Sequence, residues 1–235
     1  MQTTNSFSSK EYKTIARNNL VSLHSLFPKT FFSEVLKIDM STALTPDSTY
    51  DTVSELGSFI EEIQQKNPNA LLANGYLERR RFYTTEAYKR TTTKGSEYRN
   101  IHLGTDFWVP AQTSIHAPFD GKIVILHDNN FSKDYGPTIV LEHNIDGTLF
   151  YTLYGHLSRK SLALHKKDKL LKAGELIGFI GEPEENGHWA PHLHFQILLD
   201  LLGNTENFPG VAFPSEIEKW KIICPNPSTL FLEEF

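Results

Sequence analysis

Two histidines sit one residue apart in Pro191-His192-Leu193-His194-Phe195-Gln196-Ile197. Read as a strand, the segment alternates, with Leu193, Phe195 and Ile197 on one face and both imidazoles on the other. Their Cα atoms would stand about 7 Å apart, close enough to serve one site. A second cluster, His102-Leu103-Gly104-Thr105-Asp106, puts an imidazole and a carboxylate on one face of a straight strand, but roughly 13 Å apart, at the limit of joint ligation. Gly104 lies between them, where the backbone can bend, and a bend is expected there. Two imidazoles and one carboxylate are the donor set of a zinc site that keeps a position open for water. The same donors also suit other divalent ions, so spacing alone favours zinc without proving it. His156, in Leu153-Tyr154-Gly155-His156-Leu157, falls where a strand should end, and catalytic groups concentrate at such places.

Each cluster alone has an ordinary structural explanation: a surface His-x-His pair, a Gly-Asp turn, a bonded loop histidine. Their convergence in one stretch of β texture points to a metal site. His24, His116, His127, His143, His165 and His188 lack comparable partners and read as structural or exposed. Between Arg79 and Arg99 lie seven basic residues (Arg79, Arg80, Arg81, Lys89, Arg90, Lys94, Arg99) against Glu86 and Glu97. Such runs are usually solvated faces. The functional alternative is that one or two guanidiniums reach a cleft and hold a substrate carboxylate, a planar group they match.

The elements that must position these residues differ along the chain. Up to about Arg90 the pattern is helical. Ser8 and Glu11 have capping-box spacing and open a segment to about Leu26. Asp51 is placed to cap a second helix in which Val53, Leu56, Phe59, Ile60 and Ile63 recur at helical spacing, ending before Asn67-Pro68. From Tyr98 the texture changes to strands over 101–109, 114–117, 121–126, 138–142, 150–154, 176–180 and 192–198. Asp120-Gly121, Asp146-Gly147, Ala173-Gly174 and Gly187 supply the turns between them. The expected fold is mainly β, an antiparallel sandwich or open barrel with an α-helical N-terminal extension. The expected sections are a helical extension over 1–97, a β domain over 98–200, and a proline-containing segment over 201–235 that wraps the surface.

A chain of 235 residues, 39% hydrophobic and 22% charged, can bury a core without staples and is not a disordered tail. Its net charge of −5 argues against a dedicated nucleic-acid-binding domain. No apolar run approaches the roughly 18 residues of a membrane helix. One cysteine, Cys224, allows no internal disulfide. The N-terminus has no basic-then-apolar secretory pattern, so a cytoplasmic protein is expected.

Taken in order, His-x-Gly-x-Asp, Tyr-Gly-His-Leu and Pro-His-Leu-His-Phe resemble the lysostaphin-type (LytM-like) zinc metallopeptidases. Ala117-Pro-Phe-Asp-Gly-Lys-Ile123 is similar to that family's first hairpin, and Lys172-Ala-Gly-Glu-Leu-Ile-Gly-Phe-Ile-Gly181 to its glycine-punctuated strand. The resemblance covers about 101–198 and implies a duplicated-hybrid-motif-like fold. It also implies one zinc ion per chain on His102, Asp106 and His194, with His192 and His156 as the catalytic pair. Spacing could not decide between His192 and His194 as the ligand; the family pattern does. The implied activity is hydrolysis of a peptide bond, usually in glycine- or D-alanine-containing peptides. Two features depart from the common pattern. Asn186-Gly-His-Trp-Ala-Pro191 stands where many relatives carry a Ser/Thr/Gly-rich turn. Phe208-Pro-Gly-Val-Ala212 and Cys224-Pro-Asn-Pro227 resemble a subgroup whose module occurs beside kinase-like and aminotransferase modules, which implies small cytoplasmic peptides or amides as substrates. The alternative from another class is a non-catalytic binding or regulatory module that keeps the fold and the metal.

Overall fold

A computed structural model describes residues 9–43, 53–80, 83, 86–93 and 95–235. Ser8 and Asp51, expected as helix caps, and Arg81 and Lys94 of the basic run lie outside the described residues. Helix α1 (Ser9–Asn18) buries Tyr12, Ile15 and Ala16, neighbours on one face at spacings of three and four. It stops short of Leu26, because the Asn19 side chain turns back to donate to the Ile15 carbonyl. A separate 3₁₀ turn, Leu23–Ser25, is capped by Ser22.

Strand β1 (Glu34–Lys37), helix α2 (Met40–Ala43), helix α3 (Val53–Lys66) and strand β2 (Ala70–Asn74) follow. Helix α3 ends just before Asn67-Pro68, as the proline requires. Strands β1 and β2 pair in parallel, from Glu34 with Ala70 to Lys37 with Ala73. A parallel pair needs a crossover, and the stretch containing α3 provides it. The N-terminal part of the chain, which read as helical, therefore also adds two strands to the main sheet. Strand β2 is buried at all five positions, and such a continuous apolar run has no alternation to separate it from a helix.

The remaining elements are β3 (Lys89–Thr92), β4 (Gly95–Tyr98), β5 (Ile101–His102), β6 (Thr105–Trp108), β7 (Ser114–His116), β8 (Gly121–Asn129), β9 (Gly136–Ile145), β10 (Thr148–Gly155), α4 (Arg159–Ala163), β11 (Leu170–Leu171), β12 (Leu176–Phe179), β13 (Leu193–Leu198), β14 (Val211–Ala212) and α5 (Ile217–Ile223). Every strand expected from the sequence between Ile101 and Leu198 is present, the first of them split at Leu103-Gly104. The eight-stranded sheet runs β1-β2-β6-β13-β10-β9-β8-β11. It is antiparallel except at the β1–β2 edge, so the sheet is mixed where an all-antiparallel one was expected. No described helix is long and apolar enough to cross a membrane.

One core joins the three sections of the sequence. Phe27, Phe107, Tyr154, Phe195 and Phe231 are buried in the same cluster. Val21 bridges to Phe231, and the Glu233 carboxylate accepts from the Ser22 hydroxyl and the Leu23 amide. The C-terminal segment also enters the interior rather than only wrapping the surface. Strand β14 pairs with β5, placing Val211 opposite His102, and Phe208, Cys224 and Phe231 are buried.

Candidate metal centre

Strand register gathers the candidate ligands. In the β6–β13 pair Asp106 lies directly opposite His194; on the other side of β6, Asn74 of β2 is the partner of Asp106. The chain bends at Gly104, where β5 gives way to β6, and this brings His102 Nε2 to 3.4 Å from Asp106 Oδ1. His194 Nδ1 lies 3.1 Å from the same oxygen and 2.9 Å from His102 Nε2. The three donor atoms all fall within 4.8 Å of one another, and all three residues are buried. Glycine is required at 104 for a second reason as well. A Cβ there would sit 2.6 Å from the Phe195 carbonyl oxygen and 2.7 Å from His194 Nε2.

Hydrogen bonds settle which nitrogen of each ring faces inward. His102 Nδ1 donates to the Gly75 carbonyl at 3.0 Å, so Nε2 carries the lone pair. Gln196 donates through Nε2 to the Pro209 carbonyl, which turns its Oε1 to accept from His194 Nε2 at 2.9 Å. His194 Nδ1 is then the unprotonated nitrogen. In their neutral tautomers the two rings thus turn lone pairs towards each other and the carboxylate oxygen. That is an arrangement a cation stabilises, and the donors are those of a zinc or related divalent site.

His192 and His156 follow the same rule. His192 Nδ1 donates to the Ala190 carbonyl at 2.7 Å, and His156 Nδ1 to the Asn186 carbonyl at 2.8 Å. Their Nε2 atoms are left as acceptors, and the ring centroids are 4.3 Å apart. His192 Nε2 stands 3.8 Å from Asp106 Oδ1. His156 is the residue after β10 and adopts φ 61°, a left-handed conformation uncommon outside glycine. It is held there by its amide donating to Tyr135 O and its carbonyl accepting from Gly181 N. Trp108 packs against His192 with centroids 4.6 Å apart.

Burial sets the protonation states. Desolvation, helped by the Arg80 charge, pushes His102 down to about 3. Desolvation and then the neighbouring histidines hold His156 well below its ordinary value, and burial also lowers His192. All three rings are therefore neutral near pH 7. Burial alone would raise Asp106, but the Arg80 charge, followed by His102 and His192, outweighs it and holds the carboxyl well below the usual range.

Arg80 was singled out in the sequence only as one of a basic run. It is buried, with Nη1 2.7 Å from Asp106 Oδ2 and Nε 3.1 Å from Glu78 Oε2. Two residues of the run, Arg80 and Arg99, thus line the cleft, and Arg80 there meets the protein's own carboxylates. Arg90 instead pairs with Glu97 and Glu216, and Arg99 lines the cleft, 5.6 Å from the Tyr88 ring. No local pattern distinguishes Arg80 from its neighbours; its depth is set by backbone pairing with Asn100. Gln196 was findable, since it lies two residues beyond His194 on the same strand face. His24 stacks on Phe32 at an exposed site, and Asn74 bridges Trp108 Nε1 and Glu78. His116, His143 and His165 each bond a backbone carbonyl elsewhere.

The centre lies in a cleft of about 740 Å³ whose walls include Tyr83, Tyr88, Phe131, Trp189, Asn207 and Phe208. The turn 186–191 is part of the site. Asn186 O holds His156, and the Asn186 side chain ties down both the amide and the carbonyl of Trp189.

Residues 100–205 match the family described as peptidase family M23. Over 170 residues, 68% of this chain and 36% of the relative, the sequence is 29% identical to peptidoglycan DD-endopeptidase ShyB of Vibrio cholerae. Over 132 residues, 55% of this chain and 26% of the relative, it is 32% identical to lysostaphin of Staphylococcus staphylolyticus. A solved zinc containing peptidase from Vibrio cholerae is 31% identical, with 47% of this chain and 30% of that one covered and a TM-score of 0.35. The chain spans about a third of the length of the first of these curated relatives and about a quarter of the second.

Proposed function

We propose, from the match of residues 100–205 to peptidase family M23, that the protein is a metallopeptidase that hydrolyses a peptide bond with one zinc ion held by His102, Asp106 and His194. The observation that carries this reading is the convergence of His102 Nε2, His194 Nδ1 and Asp106 Oδ1 within 4.8 Å, all three residues buried. When bound there, zinc supplies Lewis-acid polarisation of a carbonyl and lowers the pKa of water towards neutrality.

The chain's own residues supply the rest. Neutral His192 and His156 present unprotonated Nε2 atoms, so one of them can accept the proton of the attacking water. An imidazole protonated at Nε2 then becomes a donor towards the developing oxyanion or the leaving amine. Their Nδ1 bonds to the Ala190 and Asn186 carbonyls fix ring orientation through both steps. Tyr83, Trp189 and Phe208, buried aromatic residues of the wall, lower the local polarity and strengthen each polar contact. Two candidate catalytic imidazoles weigh against the alternative of a non-catalytic module.

For substrate we propose a peptidoglycan-type peptide containing glycine or D-alanine. Two relatives' names support that class: the peptidoglycan DD-endopeptidase above, and the glycyl-glycine endopeptidase ALE-1 of Staphylococcus capitis, 31% identical over 147 residues, 63% of this chain and 36% of that one. The test is a panel of D-alanine cross-linked peptides, oligoglycines and unrelated short peptides, offered to zinc-loaded protein. Cleavage of one of the first two classes is expected, with a loss of about 10²–10⁴-fold in His192→Ala or His156→Ala while zinc is retained. Zinc-loaded protein that cleaves none of the panel would favour the non-catalytic module.

A further inference from the structure

We propose that Arg80 is a positioning residue for the metal-binding carboxylate, and that residues 74–80, which lie outside the matched family segment, complete the metal centre. The inference rests on the zinc reading above. Asp106 has two oxygens with separate duties: Oδ1 faces His102 and His194 at 3.4 and 3.1 Å, and Oδ2 is paired to Arg80 Nη1 at 2.7 Å. With Oδ2 in this ion pair, Oδ1 is the oxygen that Asp106 turns towards the two imidazoles.

Arg80 is itself braced. Its Nε donates to Glu78 Oε2, which also accepts from Asn74 Nδ2 at 2.8 Å. The other Glu78 oxygen accepts from the Met40 amide. Asn74 is anchored in turn by Trp108 Nε1, 2.7 Å from its Oδ1. Arg80 and Glu78 contribute opposite charges, so the pair orients Asp106 without changing the net charge a dication meets. The same segment orients a second ligand, because the Gly75 carbonyl takes the Nδ1 proton of His102. Gly75 does this from φ +71°, where a Cβ would also collide with the Glu78 side chain. The backbone locks segment to ligand strand through Leu77 N to His102 O, His102 N to Glu78 O, and Arg80 N to Asn100 O. Two of the three ligands thus take their orientation from residues N-terminal to the family domain. A carboxylate ligand whose outer oxygen loses such a partner typically costs 10- to 100-fold in metal affinity.

The test is zinc affinity, measured by competition with a chromogenic chelator on metal-free full-length protein, together with the d–d absorption of the cobalt-loaded form. Arg80→Gln is expected to weaken zinc about 10–100-fold and to alter the cobalt spectrum, as Asp106 becomes free to bind through both oxygens. Arg80→Lys is expected to recover part of the affinity, because it keeps the charge but not the planar fork. Arg90→Gln, outside the cleft, is expected to match wild type. A folded Arg80→Gln protein that binds zinc as tightly as wild type overturns the proposal. Tighter binding also overturns it and makes Arg80 a competitor for Asp106. If Arg80→Gln does not fold, Glu78→Gln carries the test: it removes the brace and should weaken zinc severalfold, and unchanged affinity would overturn the proposal. Wild type that takes no zinc is a distinct outcome; it removes the zinc reading, and this inference with it, before any variant is compared.

Discussion

Single ring nitrogens decide what the site can do. Each of His102, His156 and His192 gives its Nδ1 proton to a backbone carbonyl, and His194 gives its Nε2 proton to Gln196. The four remaining nitrogens all serve one cleft as acceptors. His143 shows the same pairing where no site exists. It is fully buried, with Nδ1 on the Asp120 carbonyl and Nε2 2.7 Å from the Thr152 hydroxyl. Burial lowers it from 6.5 to about 4. Its folded pKa is depressed, so between those values the unfolded chain binds a proton that the folded chain refuses. The stability it contributes is fully present above about pH 6.5 and is lost as pH falls towards 4, a total of about 3 kcal/mol. Urea unfolding of metal-free protein across pH 7 to 4.5 should therefore fall less steeply for His143→Gln than for wild type; parallel curves would contradict this. The sequence had grouped His143 with the structural histidines, and its surroundings agree. It could not say which nitrogen of any ring faces the cleft, because carbonyls far away in sequence decide that.

At the scale of elements, the site is the junction of β2, β6, β13 and β10. The strands between Ile101 and Leu198 were legible because their apolar residues alternate and Gly turns separate them. The bend at Gly104 was legible because two candidate ligands on one straight strand would be too far apart. Strand β2 was not, since Ala70-Leu71-Leu72-Ala73 is apolar on both faces, and neither was the parallel β1–β2 pair, whose partners are separated by a helix. Arg80 was hidden for a related reason: its depth follows from backbone pairing with Asn100, which no local pattern announces. Gly104→Ala tests the junction. Its Cβ would press on His194 Nε2 and on the Phe195 backbone, and backbone cannot yield as a flexible side chain would. A loss of about 1–3 kcal/mol in stability is expected, together with loss of bound zinc. Full zinc occupancy and wild-type melting in Gly104→Ala would mean that the close approach is not constraining.

For the whole molecule, the three sections of the sequence act on one centre. The N-terminal section supplies Gly75, Glu78 and Arg80, the central sheet supplies the proposed ligands, and the C-terminal section supplies Pro209 O, which turns Gln196 towards His194. The central claim is that this assembly holds one zinc ion through His102, Asp106 and His194. The most direct measurement is native mass spectrometry of protein purified without added metal and of protein offered zinc at neutral pH, for wild type and His194→Ala. The expected result is one zinc per chain in wild type and none in His194→Ala, with both proteins folded. A wild type that stays metal-free when zinc is offered, or a His194→Ala variant that holds zinc as firmly as wild type, would contradict it.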